Sequence, residues 1–144
     1  MKKGFLFIVG LCVVGFAWAD GHGGNISFGE RQASTPMTVT SVHLTQGGGT
    51  ITAEGDMGEY GRAYLTYTLT ADANGMGGTV VGEGRGAMQG GAFASGSGTG
   101  AYYRDGTTFI MHVIFRINDG TQNFDKIVFD AYTRELTHDA YVLK

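Results

Sequence analysis

Tyr60, Arg62 and Tyr64 occupy alternate positions of a segment that reads as a strand, so they share one of its sides. His112 and Arg116 share a side of a second such segment. Hydroxyls, an imidazole and two guanidiniums brought together would line a mouth that orients a ligand bearing a carbonyl or carboxylate, because the planar guanidinium fork matches such groups. Met111 would border that ligand site from the apolar row of the same second strand. The plainer account of these residues is a set of strand faces turned to water. Asp56, Glu59, Asp72, Asp105 and Asp119 fall where turns are expected and read as turn formers. Glu54 and Glu83 lie within strands, and with His112 they are the candidates for general acid or base work. His22, His43, His112 and His138 have no zinc-type spacing, and the simplest reading of each is a hydrogen-bonded or water-facing histidine.

Other chemistry is poorly provided for. No serine lies in a nucleophile-elbow pattern, and no glycine-rich loop carries the Gly-Lys of a phosphate cradle. One metal motif depends on processing. Met1-Lys2-Lys3 followed by an apolar run to Trp18 and the Ala17-Trp18-Ala19 triplet reads as a secretory signal peptide over residues 1–19. A cut after Ala19 exposes Asp20-Gly21-His22, whose amine, backbone nitrogens and imidazole can wrap Cu(II) or Ni(II) in a square plane. Asp20 and His22 are the candidate metal residues, and no other cofactor is expected. The cut removes Cys12, the single cysteine, so the 125 residues that remain fold without a disulfide. It also removes Lys2 and Lys3 and leaves 8 basic against 13 acidic residues, a formal charge of −5. That balance disfavours nucleic acid and anionic membrane surfaces as partners. The expected address is secreted or periplasmic, in a bacterium.

The elements that must position these side chains are strands. Residues 20–36 show no period and read as a flexible leader, and residues 37–144 form the domain. Met37–Thr45, Thr50–Asp56, Tyr60–Thr70, Gly77–Ala87, Ala92–Tyr103, Thr107–Asn118, Phe124–Tyr132 and Leu136–Leu143 are about eight strands with turn-length connections. Ala63, Leu65, Tyr67 and Leu69 alternate cleanly on one side of the third. Asp105-Gly106 is a hairpin signal. If it forms the turn, Tyr102 faces Phe109, Gly100 faces Met111, Gly98 faces Val113 and Gly96 faces Phe115, all on one side. Ile127 and Phe129 then sit beside Val113 and Met111 across a three-residue loop. A glycine row beside a bulky apolar row predicts a strongly curved sheet with either a filled interior or a slot. The expected fold is all-β: a single antiparallel up-and-down barrel of about eight strands, which leaves no open edges.

The run Gly96-Ser97-Gly98-Thr99-Gly100-Ala101-Tyr102-Tyr103, within Gly82 to Phe115, resembles the glycine-rich part of small calycin-like barrels of the allene oxide cyclase and dirigent type. That resemblance implies an eight-stranded barrel with a mainly apolar cavity, dimeric or trimeric, that steers a reactive intermediate. It carries over no catalytic residue. Three functions follow as expectations. The first is a secreted barrel binding a small apolar or amphipathic ligand. The second is an isomerase or cyclase working by positioning. The third is an outer-membrane barrel, for which several strands are short and aromatic girdles are missing. A buried His or Glu beside a tyrosine in the cavity would favour the second, and an apolar, dry cavity the first.

Overall fold

A computed structural model describes residues 24–144. Eight antiparallel strands form a closed up-and-down barrel: β2 (Thr35–Thr45), β3 (Gly48–Asp56), β4 (Arg62–Ala71), β5 (Gly77–Ala87), β6 (Phe93–Asp105), β7 (Thr108–Ile117), β8 (Gln122–Asp130) and β9 (Glu135–Leu143). Each pairs with the next, and β9 closes the ring on the start of β2 through Thr35 to Thr38. A short extra strand, β1 (Phe28–Glu30), continues along the same edge of β9, pairing with Tyr141 to Leu143. The expected leader over 20–36 therefore contains β1 and the first two residues of β2 within its described part. Asp20, His22 and the expected signal peptide lie outside the described residues.

Alternation does the sorting, because successive side chains point to opposite faces. The odd residues of β4, Ala63 to Leu69, face inward, as do the odd residues of β7, Phe109 to Phe115. Ile51, Tyr67, Met111, Val113, Ile127 and Phe129 are fully buried. Burial of each large apolar side chain contributes about 1.5–3 kcal/mol against its exposed state. The end of the barrel near the Gly106 turn is plugged by rings: Tyr102 and Phe109 lie 5.8 Å apart, and Phe109 and Phe129 6.0 Å.

Two hairpin registers differ from expectation, each by two residues. The β6–β7 turn is Gly106-Thr107, with Asp105 opposite Thr108. Gly106 has φ of 59°. With glycine first, the turn needs only that one positive φ, whereas Asp105-Gly106 as the central pair would ask it of the aspartate too. Gly100 therefore faces Val113 and Gly98 faces Phe115. The β7–β8 loop is Asn118-Asp119-Gly120, closed by Ile117 N–H to Thr121 O at 2.9 Å. Gly120 takes the left-handed position at the loop's end, φ 92°. Ile127 thus sits beside Met111, Phe129 beside Phe109, and Val113 faces Asp125. A two-residue shift keeps every side chain on its face, while a one-residue shift would turn the inner row outward.

The β6 glycines lie opposite the bulky row of β7, as expected, with Gly96 beside Ile117, Gly98 beside Phe115 and Gly100 beside Val113, and two of them also pair with glycines of β5. Gly82 lies opposite Gly98 and Gly84 opposite Gly96, so adjacent strands β5 and β6 are bare on the inside together. Phe115 reaches across from β7 to fill the space above Gly82, and Leu65 from β4 fills that above Gly84. On β6 a Cβ at Gly98 or Gly100 would run into the backbone carbonyl of Ile114 or His112 on the neighbouring strand. The ribbon bends too tightly there for any side chain. Gly82→Ala is expected to cost about 1–3 kcal/mol by overpacking against the Phe115 ring. Phe115→Leu in the same chain should return part of that loss, about 1 kcal/mol of coupling. Urea unfolding of the two single variants and the double variant measures it, and strictly additive losses would contradict the packing described.

Candidate functional site

At the end of the barrel opposite the ring plug lies a cavity of about 50 Å³, lined in part by Gly84, Gly86 and Gly96. Its walls are mostly apolar: Met57, Ala63, Leu65, Phe115 and Ile117. A space of that size holds more than one water molecule. Its floor is polar and comes from the closing strands. Asn123 and Asp125 of β8 and His138 of β9 line it, exposed by only 1%, 4% and 1%.

The polar groups form a chain. Tyr67 Oη lies 3.0 Å from His138 Nδ1, and His138 Nε2 lies 2.9 Å from Asp125 Oδ2. Burial, with the negative charge of Asp125 adding to it, pushes the Tyr67 phenol well above its ordinary 10.0, so it keeps its proton. A buried hydroxyl hydrogen needs an acceptor, and the partner of this one is His138 Nδ1. With the phenol donating to Nδ1, the Nε2–H of the ring donates to Asp125. Among the described residues the other oxygen of Asp125, Oδ1, has no partner, nor has Oδ1 of Asn123. Asn123 Nδ2 donates to Tyr60 Oη at 2.8 Å. Two buried acceptors thus lack donors in an otherwise apolar hollow.

Tyr60 stands where the cavity meets a second hollow of about 210 Å³ at the barrel mouth, which shares Tyr60, Ala94 and Ile117 with it. The turn Gly58–Tyr60 holds this ring in place by a bond from Tyr60 N–H to Met57 O. Arg31, in the break between β1 and β2, lies over the ring at 4.8 Å. Its Nε is 2.8 Å from Glu59 Oε1, a contact that is an ion pair without a directed hydrogen bond. Asp119 lies 3.9 Å from the same guanidinium. Desolvation raises the Tyr60 phenol above its usual range, with the Asn123 hydrogen bond and Arg31 opposing it.

The residues expected to form a ligand mouth are not brought together. Tyr60 alone reaches the cavity. Arg62 and Tyr64 lie on the outer surface, where Arg62 Nη2 donates to Glu54 Oε1 at 2.6 Å. His112 is also outside, stacked on Phe124 at 5.6 Å, and Arg116 is exposed beside it on the strand. Met111 is fully buried in the core, away from the cavity lining. Glu83 is exposed on β5. His43 lies on the exposed part of β2 and does not approach His112 across the interior. His138 is the hydrogen-bonded histidine that its isolated position suggests, whereas Asn123 and Asp125 carry no expectation from the sequence. A signal was present: the alternation that places Ile127 and Phe129 inside continues two and four residues back to Asp125 and Asn123. Among the described residues no group of three or more His, Cys, Asp or Glu side chains is placed to hold a metal ion.

No protein-family model, curated protein or solved structure matches the chain.

Tyr67→Phe should leave Nδ1 of His138 without its donor and cost about 1–3 kcal/mol. It should also change the alkaline limb. The raised phenol contributes stability that is complete below pH 10 and declines as pH rises further, because the unfolded chain releases that proton first. The wild-type protein should therefore lose stability faster than Tyr67→Phe above pH 10, the difference in slope approaching about 1.4 kcal/mol per pH unit near pH 11. Parallel unfolding curves from pH 8 to 11 give this difference directly.

Proposed function

We propose that the protein is an exported barrel that binds a small amphipathic molecule at one end of its interior. The polar head of that molecule sits against Asp125 and Asn123, and its apolar body runs past Met57 and Ile117 toward the mouth. One observation carries this reading: Asp125 Oδ1 and Asn123 Oδ1 are buried, unpartnered and in the lining of a hollow. A buried acceptor without a donor costs about 1–3 kcal/mol, and a ligand that supplies the donors recovers it. The apolar walls supply the rest of the affinity through area removed from water. The outer surface fits the same reading. Glu83, Arg85, Arg116 and Lys126 are exposed on the sheet exterior, where an outer-membrane barrel would carry its lipid-facing apolar band. An address outside the cytoplasm rests on the N-terminal sequence alone.

A second reading, a proton-transferring isomerase or cyclase, has its own support in the buried His138 beside Tyr67. Asp125, oriented by the His138 Nε2–H donor, has the placement of a general base whose free oxygen faces the ligand space. The glycine-rich likeness to cyclase-type barrels points the same way without adding a residue role.

Native mass spectrometry of the protein isolated from its own host should show a bound small molecule of constant mass. Ala63→Leu, which projects bulk into the cavity, should lose that mass while keeping the barrel's circular dichroism. Retention of the same mass in Ala63→Leu would place the ligand elsewhere. Incubating the complex in heavy water separates the two readings. Deuterium appearing at a carbon of the released molecule indicates proton transfer, and its absence leaves binding alone.

A further inference from the structure

The floor of the cavity is asymmetric in charge, and this narrows the ligand. As a carboxylate, Asp125 is 4% exposed and carries a full negative charge in an apolar interior. Its Oδ2 is held by Nε2 of His138, whose Nδ1 faces the Tyr67 phenol. Arg31 is engaged with Glu59 and Asp119 at the mouth. Arg85, the one cation among the lining residues, is exposed and lies over the Phe93 ring at 4.8 Å. Among the described residues no lysine or arginine pairs with this carboxylate, and a buried charge without a cation beside it is costly. The two unpartnered oxygens of the floor are both acceptors.

We infer that the ligand is a small aliphatic amine whose primary ammonium group sits between Asp125 Oδ1 and Asn123 Oδ1. The inference rests on the binding function proposed above and names its ligand class. An ammonium is the group that matches this floor: three donors, no acceptor and one positive charge. A hydroxyl would supply one donor and leave the charge unanswered. A carboxylate head would place two anions together in a site of low polarity. The head has the cavity of about 50 Å³ that Asn123 and Asp125 line together with Gly84 and Gly96. The alkyl chain then follows Met57 and Ile117 outward to the hollow beneath Arg31.

Titration calorimetry of the purified protein at pH 7 with n-butylamine, n-butanol and butyrate tests this. Butylamine should bind at least about tenfold more tightly than butanol, since a hydrogen bond to a charged group contributes more than one to a neutral group. Butyrate should bind most weakly. Asp125→Asn should reduce amine affinity by about tenfold or more and leave butanol within about threefold. If that variant fails to fold, the amine-to-alcohol ratio in the wild-type protein decides by itself. Butanol or butyrate binding as tightly as butylamine would overturn the ammonium class and leave the binding function standing. Equal amine affinity in a folded Asp125→Asn would do the same. Absence of binding by all three probes would remove the binding function as well.

Discussion

The bare inner faces of β5 and β6 are the condition on which the rest of the structure depends. Gly82, Gly84 and Gly86 on one strand lie beside Gly96, Gly98 and Gly100 on the next. Without side chains the two strands can curl until the neighbouring backbone occupies the place of a Cβ, as it does at Gly98 and Gly100. Glycine carries an entropic cost in a strand interior, and a close approach of this kind is a reason to retain it. The curl brings β9 round to pair with both β8 and the first four residues of β2, and the ring closes.

The same bareness divides the interior into two halves. Large side chains from β4 and β7, Leu65 and Phe115, lean into the vacated space and fill most of it. Toward the opposite end, Tyr102, Phe109 and Phe129 pack ring against ring, with another hollow outside them that Tyr102 and Phe109 line. What is unfilled remains near Gly84, Gly86 and Gly96, and there the closing strands present Asn123, Asp125 and His138 in place of apolar residues. A cavity and a polar cluster at one spot have a common cause. Apolar side chains were replaced on both sides of the barrel, by hydrogen on β5 and β6 and by hydrogen-bonding groups on β8 and β9.

The order of the polar chain also follows from packing. Tyr67 comes from β4, across the barrel from β9, and its hydroxyl is the group that meets Nδ1 of His138. The imidazole in turn holds one oxygen of Asp125 and leaves the other to the cavity. Each member is oriented by a neighbour on another strand, so the free acceptor is placed by the closed barrel as a whole and by no single hairpin.

The sequence by itself determined the class of fold and the face on which each strand residue lies. Alternation with period two is a local property, and short turn-forming connections permit few arrangements other than a meander. Even the two hairpins displaced by two residues kept Met111, Val113, Phe115, Ile127 and Phe129 inside, because the period absorbs an even shift. The site was legible only in fragments. Tyr60 is marked by the alternation it shares with Arg62 and Tyr64, yet those two, with His112 and Arg116, face outward. Asp125 and His138 are 13 residues apart and Tyr67 is 71 from His138. Nothing in local spacing joins them. Barrel closure decides which strands look at one another across the interior, and that closure depends on curvature summed over eight strands, which no short stretch of residues records.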